Sequence, residues 1–255
     1  MTKLKQLGVV LFAVISSQTM AANFSFDRPG TGFSTGITPV GKLAWEQGLP
    51  TVHYQETRAE LGTVETWTLN TDMLLRTGIA KNTEVQLGWD GPSWTSSRYL
   101  GRSKDHDGTG DLTIGLKHAI DLNDEKLSWA ILAQALIAIG HDQFTEDDEI
   151  YTLGSSVDYQ YSDTITTGIS TFYEIKDGDW AITVVPTLGY EIKGNLSGYS
   201  ELVYRKKEHL DNQYALGTGL IYALNDRAQL DASIGVDLEG TERSYKGGFG
   251  VSYLF

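Results

Sequence analysis

The chain has 255 residues, of which 28 are glycine and 11% aromatic, with five prolines and no cysteine. That composition suits many short strands joined by turns, and it excludes a disulfide scaffold, thiolate metal sites and a cysteine nucleophile. The formal net charge of −13 leaves no basic face for phosphate groups, so nucleic acid is excluded as a partner.

Lys3 and Lys5, the apolar run from Leu7 to Ile15, and the small-residue exit Thr19-Met20-Ala21 form the three regions of an export signal. Cleavage is expected after Ala21 or Ala22, which makes residues 1–21 the signal peptide. Losing Lys3 and Lys5 leaves 18 basic and 33 acidic residues, a net charge of −15. No later run is long enough for a transmembrane helix.

Residues 22–40 come next, reading NFSFDRPGTGFSTGITPV from Asn23. They lack alternation and contain Pro29 and Pro39, so they do not form a wall strand. Phe24, Phe26 and Phe33 are out of place in a solvated tail. Two readings stand: a segment that enters the lumen with Arg28 paired to an acid there, or a loose periplasmic leader.

From 41 to 255 the chain alternates. Leu230, Ala232, Ile234, Val236 and Leu238 share one face, with Asp231, Ser233, Gly235, Asp237 and Glu239 on the other. The same period recurs in segments near 42–55, 64–79, 83–90, 110–121, 126–140, 149–161, 164–176, 179–192, 195–205, 213–224, 227–239 and 244–255. The expected fold is all-β, a transmembrane antiparallel up-and-down barrel of about 12 strands. Leu127 to Ile139 is apolar on both faces and could be a buried helix, but an even strand count favours a strand. Apolar-face aromatics gather at strand ends, Trp45, Trp129, Tyr161, Tyr190, Tyr222 and Tyr253 at one and Trp67, Trp89, Tyr151, Tyr173 and Tyr245 among those at the other. These are the two girdles of an outer-membrane barrel. Short turns such as 80–82 and 225–226 alternate with longer charged loops such as 56–63 and 91–109. The last strand places Phe249, Val251, Tyr253 and Phe255 at alternate positions, the pattern of a signal read by the barrel assembly machinery.

TPVGKLAWEQG (38–48), NTDMLLRTGIAKNTEVQLGWD (70–90), GTGDLTIGLKHAI (108–120), LSGYSELVYR (196–205), YALGTGLIYALNDRAQLDASIGVDLEG (214–240) and GGFGVSYLF (247–255) together resemble one family. It is the outer-membrane β-barrel transporter family named for the meta-pathway of phenol degradation. The resemblance covers nearly all of the chain after residue 21 and rests on strand signatures. It implies an outer-membrane barrel of transporter type, and it specifies no substrate.

Alternation turns ten acids inward: Glu46, Asp72, Glu84, Asp111, Asp158, Glu174, Glu191, Glu201, Asp231 and Asp237. Arg76, Lys117, Arg205 and Lys246 face them. Glu46, Asp72, Arg76, Glu84, Asp111, Lys117, Asp158, Glu201 and Asp231 are the candidates for lining a solute path. Such charges either line a channel for cations and neutral molecules or pair across the lumen and fill it. No motif implies a cofactor or resident metal, and the loop acids 105–107 and 145–149 have no calcium-binding spacing. No G-x-S-x-G occurs, and His118 faces outward without a serine beside it, so no enzyme is expected. The expected function is an outer-membrane channel or uptake porin passing small molecules, aromatic or other apolar compounds among them. The alternatives are a structural barrel with a closed lumen and, more distantly, a lipid-modifying enzyme.

Overall fold

The computed structural model describes residues 24–238 and 243–255, so the export signal lies outside the described residues. Every regular element there is a strand: β1 (Leu43–Ala59), β2 (Gly62–Asn70), β3 (Met73–Ala80), β4 (Thr83–Trp89), β5 (Pro92–Tyr99), β6 (Arg102–Thr109), β7 (Leu112–Ile120), β8 (Leu127–Ile137), β9 (Ile150–Ser162), β10 (Ile165–Lys176), β11 (Asp179–Lys193), β12 (Leu196–Lys207), β13 (Asn212–Asn225), β14 (Ala228–Asp237) and β15 (Arg243–Leu254). Strand β15 pairs back onto β1, from Ala44↔Leu254 upward, and closes the sheet. The ring runs β1–β3–β4–β7 and then β8 through β15, twelve staves that are all antiparallel. Closure leaves no free edge in the ring, which a single sheet of this size otherwise cannot avoid.

Residues 127–137 form a stave, as the even count required, with Leu127↔Tyr159 and Ile120↔Trp129 in register. One expectation is overturned. The stretches read as loops at 56–63 and 91–109 are mostly strand, because β1 runs on to Ala59 and β5 and β6 form a hairpin. Above residues 71–72, 90–91 and 110–111 the chain leaves the ring as β2, β5 and β6, which extend the same sheet sideways from the upper half of β1 in the order β1–β2–β5–β6, while β1 itself stays paired to β15. Gly91 makes one of these breaks possible. Its φ is +69°, and a Cβ there would lie 2.2 Å from the Thr71 carbonyl oxygen. The hairpin was hidden because its turn, Leu100-Gly101, puts a leucine at φ +49° where asparagine or glycine is usual. Its second strand also shows no apolar alternation, since β6 (RSKDHDGT) carries no apolar side chain.

Burial is inverted relative to a water-soluble domain. Leu87, Ile114, Leu116, Leu188, Leu216, Leu220, Leu230 and Ile234 are exposed on the outside, while Glu46, Arg76, Glu84 and Lys117 are fully buried inside. An apolar exterior this continuous is a surface for acyl chains. Aromatic rings cluster at its two ends. Tyr54 packs on Trp67 (4.5 Å between centroids) and on Tyr245 (6.3 Å) at the long-loop end, and Tyr253 on Phe255 (4.7 Å) at the short-turn end.

Candidate functional site

The lumen is built by the inward rungs of neighbouring staves. Arg76 stands opposite Ala44 on β1 and Gln86 on β4, and Glu84 stands opposite Lys117 on β7. This register places the two cations within reach of the two acids. Arg76 Nη1 donates to Glu46 Oε1 at 2.9 Å and Nε to Glu84 Oε1 at 2.8 Å, while Lys117 Nζ lies 3.1 Å from Glu84 Oε1. None of the four side chains is exposed. Buried charges are tolerated only when paired and hydrogen-bonded, and each of these is.

A fifth charge completes the group and comes from outside the wall. Asp27 Oδ1 lies 3.1 Å from Lys117 Nζ and 3.4 Å from Arg76 Nη1. Burial opposes ionisation of Asp27, but Arg76 and Lys117 outweigh it and hold the carboxyl down to about 2. Three acids thus surround two cations. The remaining donors and acceptors go to the backbone of the same segment. Arg76 donates to the Ser25 and Gly36 carbonyls, Lys117 to that of Ser34, and Glu46 accepts the Asp27 and Arg28 amides. Glu84 Oε2 accepts the Thr38 amide at 2.6 Å.

Residues 24–40 therefore lie inside the barrel, bonded around its circumference. Arg28 Nη1 donates to Asp72 at 2.7 Å, and Nη2 lies 3.4 Å from Asp231. Glu201 accepts the Thr31 amide (2.9 Å) and hydroxyl (2.6 Å). Thr35 donates to Asp158 at 2.9 Å, and Tyr199 donates to the Pro29 carbonyl. Phe33 is 8% exposed and packs on Ala130 and Leu132, with its ring 5.5 Å from that of Phe172. The apolar inner stripe of β8, unexplained by alternation alone, is the seat of Phe33. The segment returns to the wall at Gly78, where a Cβ would come within 2.1 Å of the Thr38 carbonyl oxygen.

Eight of the nine candidate lining residues thus touch the segment or its ion pairs. Glu46, Arg76, Glu84 and Lys117 form one cluster, Asp72 and Asp231 share Arg28, and Asp158 and Glu201 hold separate points. Asp111 departs from the expectation. It is 1% exposed and accepts the amides of Ile139, Gly140 and Glu146, so it fastens the 138–149 loop instead of lining the lumen. Sequence reasoning missed Asp27, Thr31, Thr35 and Thr38, because no periodicity says which way a side chain points in a non-strand segment.

Other chemistry is thin. Ser244 and His53 hydrogen-bond at 2.7 Å in the upper lumen, but no carboxylate is bonded to the other ring nitrogen among the described residues. His118 faces outward against Thr83. Asp179, Glu208 and His209 bring ligand atoms within 4.8 Å of one another at the long-loop end, where Asp179 and His209 are exposed.

Solved structures with the same fold include an outer-membrane channel, COG4313, from Pseudomonas putida F1, which is 12% identical with a TM-score of 0.65. The alignment covers 89% of this chain and 99% of that one. The KdgM porin is 10% identical with a TM-score of 0.53, covering 80% of this chain and 98% of the porin. The translocator domain of the autotransporter NalP from Neisseria meningitidis is 11% identical with a TM-score of 0.55, covering 89% and 90%. At these identities the likeness is one of fold. No curated protein matches the chain in sequence. A family match spans residues 26–255, nearly all of the described chain, and by it the protein belongs to the family described as "Putative MetA-pathway of phenol degradation".

Proposed function

We propose that the protein is an outer-membrane channel that passes small molecules by passive diffusion, exported by a signal peptide cleaved near Ala21 and inserted by the barrel assembly machinery. The supporting features are the apolar exterior between two aromatic bands, the polar interior and the fold shared with channels and a porin. The observation that carries the reading is the inner segment. Residues 24–40 occupy the lumen through ion pairs and hydrogen bonds that can be exchanged for water, so they narrow the path without making it solid. The acid excess of the wall disfavours anions, leaving cations and neutral molecules. The protein is read as a conduit and not as an enzyme.

The test is single-channel recording of refolded protein, intact and with residues 23–38 removed behind the cleavage site. The intact chain is expected to show small currents and the truncated one larger currents with a broader range of solutes. Absence of current from both at every voltage would overturn the channel reading. That result would favour the second reading, a structural barrel, which the density of bonds between segment and wall also supports.

A further inference from the structure

Above the inner segment the wall formed by β12, β13, β14, β15 and β1 carries a recess of about 240 Å³. That is roughly the share of eight water molecules in the liquid. Its floor is made by Val203 and Ala215, two short apolar side chains. Around them stand Arg205, Gln213, Asp237 and Ser244, with Gln55 across the β1–β15 seam. The position is significant because the rungs below are Glu201 and Lys246, and both bond to Thr31 of the inner segment. A solute held here lies beside the tether that holds the narrowing segment in place.

We infer that this recess is a binding site for a small uncharged molecule bearing several hydroxyl groups, an inference that rests on the channel reading. The charges disfavour an anion, and the unmet Arg205 N–H needs an acceptor that a bare cation lacks. Arg205 Nη2 is bonded to Glu174 at 2.6 Å, so its charge is already met, and Asp237 on the facing side repels an anion. The donors and acceptors select hydroxyl groups. Arg205 Nε is buried without a partner, and the exposed amide of Gln213 lines the same space. Ser244 is 6% exposed and bonded to His53, so one lone pair or proton of its hydroxyl remains to be used. A hydroxyl both donates and accepts, and it can meet an unpaired guanidinium N–H, an amide and a serine in turn. An apolar solute would leave these groups unsatisfied, which is the stronger penalty. Val203 and Ala215 then receive the carbon frame.

Titration calorimetry on the detergent-purified full chain tests this, with glucose, glycerol and catechol as probes and benzoate and toluene as controls. Glucose and catechol separate an aliphatic from an aromatic frame. At least one of the three hydroxylated probes is expected to bind in the millimolar range, and neither control. Gln213→Leu is expected to weaken that binding about tenfold, the effect of losing one hydrogen bond to the ligand. Ala215→Leu, which fills the floor, is expected to abolish it, and provides a second reading should the first variant fail to assemble. Binding of benzoate or toluene in preference to every hydroxylated probe, no heat from any hydroxylated probe, or equal affinities in both variants and the parent would each overturn the site. Equilibrium binding does not require conduction, so a barrel that binds glucose yet carries no current would sink the channel reading alone.

Discussion

Asp27 shows how much one side chain can depend on the fold around it. Its carboxyl is held down to about 2, against an ordinary value near 3.9, by Arg76 and Lys117 despite burial. The sign follows from linkage. A carboxyl whose folded value is depressed contributes its full stabilisation above about pH 4 and loses it as the pH falls toward 2. The Asp27 contribution to seating is therefore expected to be full from neutral pH down to about 4 and to be lost below that, as current fluctuations recorded across a pH series will show. Asp27→Asn is expected to produce the loosened behaviour at neutral pH, with about 2 kcal/mol of seating lost. Glu46 and Glu84 still meet the two cations in that variant, so the barrel should assemble normally. Phe33→Ala is expected to weaken the same seat by about 3 kcal/mol through the hole it leaves against Leu132 and Phe172. Both effects are read as the fraction of time spent in the larger-conductance state. Arg28 was legible in the sequence as a partner for an inner acid, while Asp27, its neighbour, was not. A cation among ten acids has a partner wherever it points, whereas an acid among acids is placed only by knowing which cations it reaches.

Alternation reveals an element well when one face meets lipid and the other water. Strands β7, β9, β13 and β14 were legible for that reason, and β8 was legible only through the even count of staves. The hairpin β5–β6 was not, since β6 reads Arg102, Ser103, Lys104, Asp105, His106 and Asp107 with no apolar face at all. Among the described residues its outer edge pairs with no strand, and charges on an edge are what prevent it from recruiting another chain. The last strand differs in kind. Phe249 and Phe255 are exposed on its outer face, 66% and 56%, although the barrel gains little from packing them. Such exposure suits lipid contact, so the expected assembly role rests on the alternate spacing of Phe249, Val251, Tyr253 and Phe255. Deleting Phe255 is expected to lower the amount of assembled protein several-fold. Conservative changes within 91–109 are expected to leave it within error, judged by surface labelling of intact cells. Equal surface levels for the deletion and the parent would count against an assembly signal.

At the scale of the molecule, a ring of twelve antiparallel staves has its backbone hydrogen bonds satisfied internally, as a membrane interior demands. The protein is expected to fractionate with the outer membrane and to migrate faster on a gel before boiling than after it. Recovery in the soluble periplasmic fraction would contradict the membrane reading. The pairing of Ala44 with Leu254 has a further consequence, one of time. The ring is sealed by the two strands farthest apart in sequence, so sealing carries the largest loop-closure entropy of any contact in the fold and is expected to be slow. Residues 24–40 are bonded to staves from β1 to β15 and must already lie within the curling sheet when the seam zips. Trapping them there makes the seam wait on a search among many ion pairs. A chain lacking the segment closes around water instead. Followed from urea into detergent micelles by the appearance of the fast-migrating band, it is expected to reach the closed state sooner than the full chain.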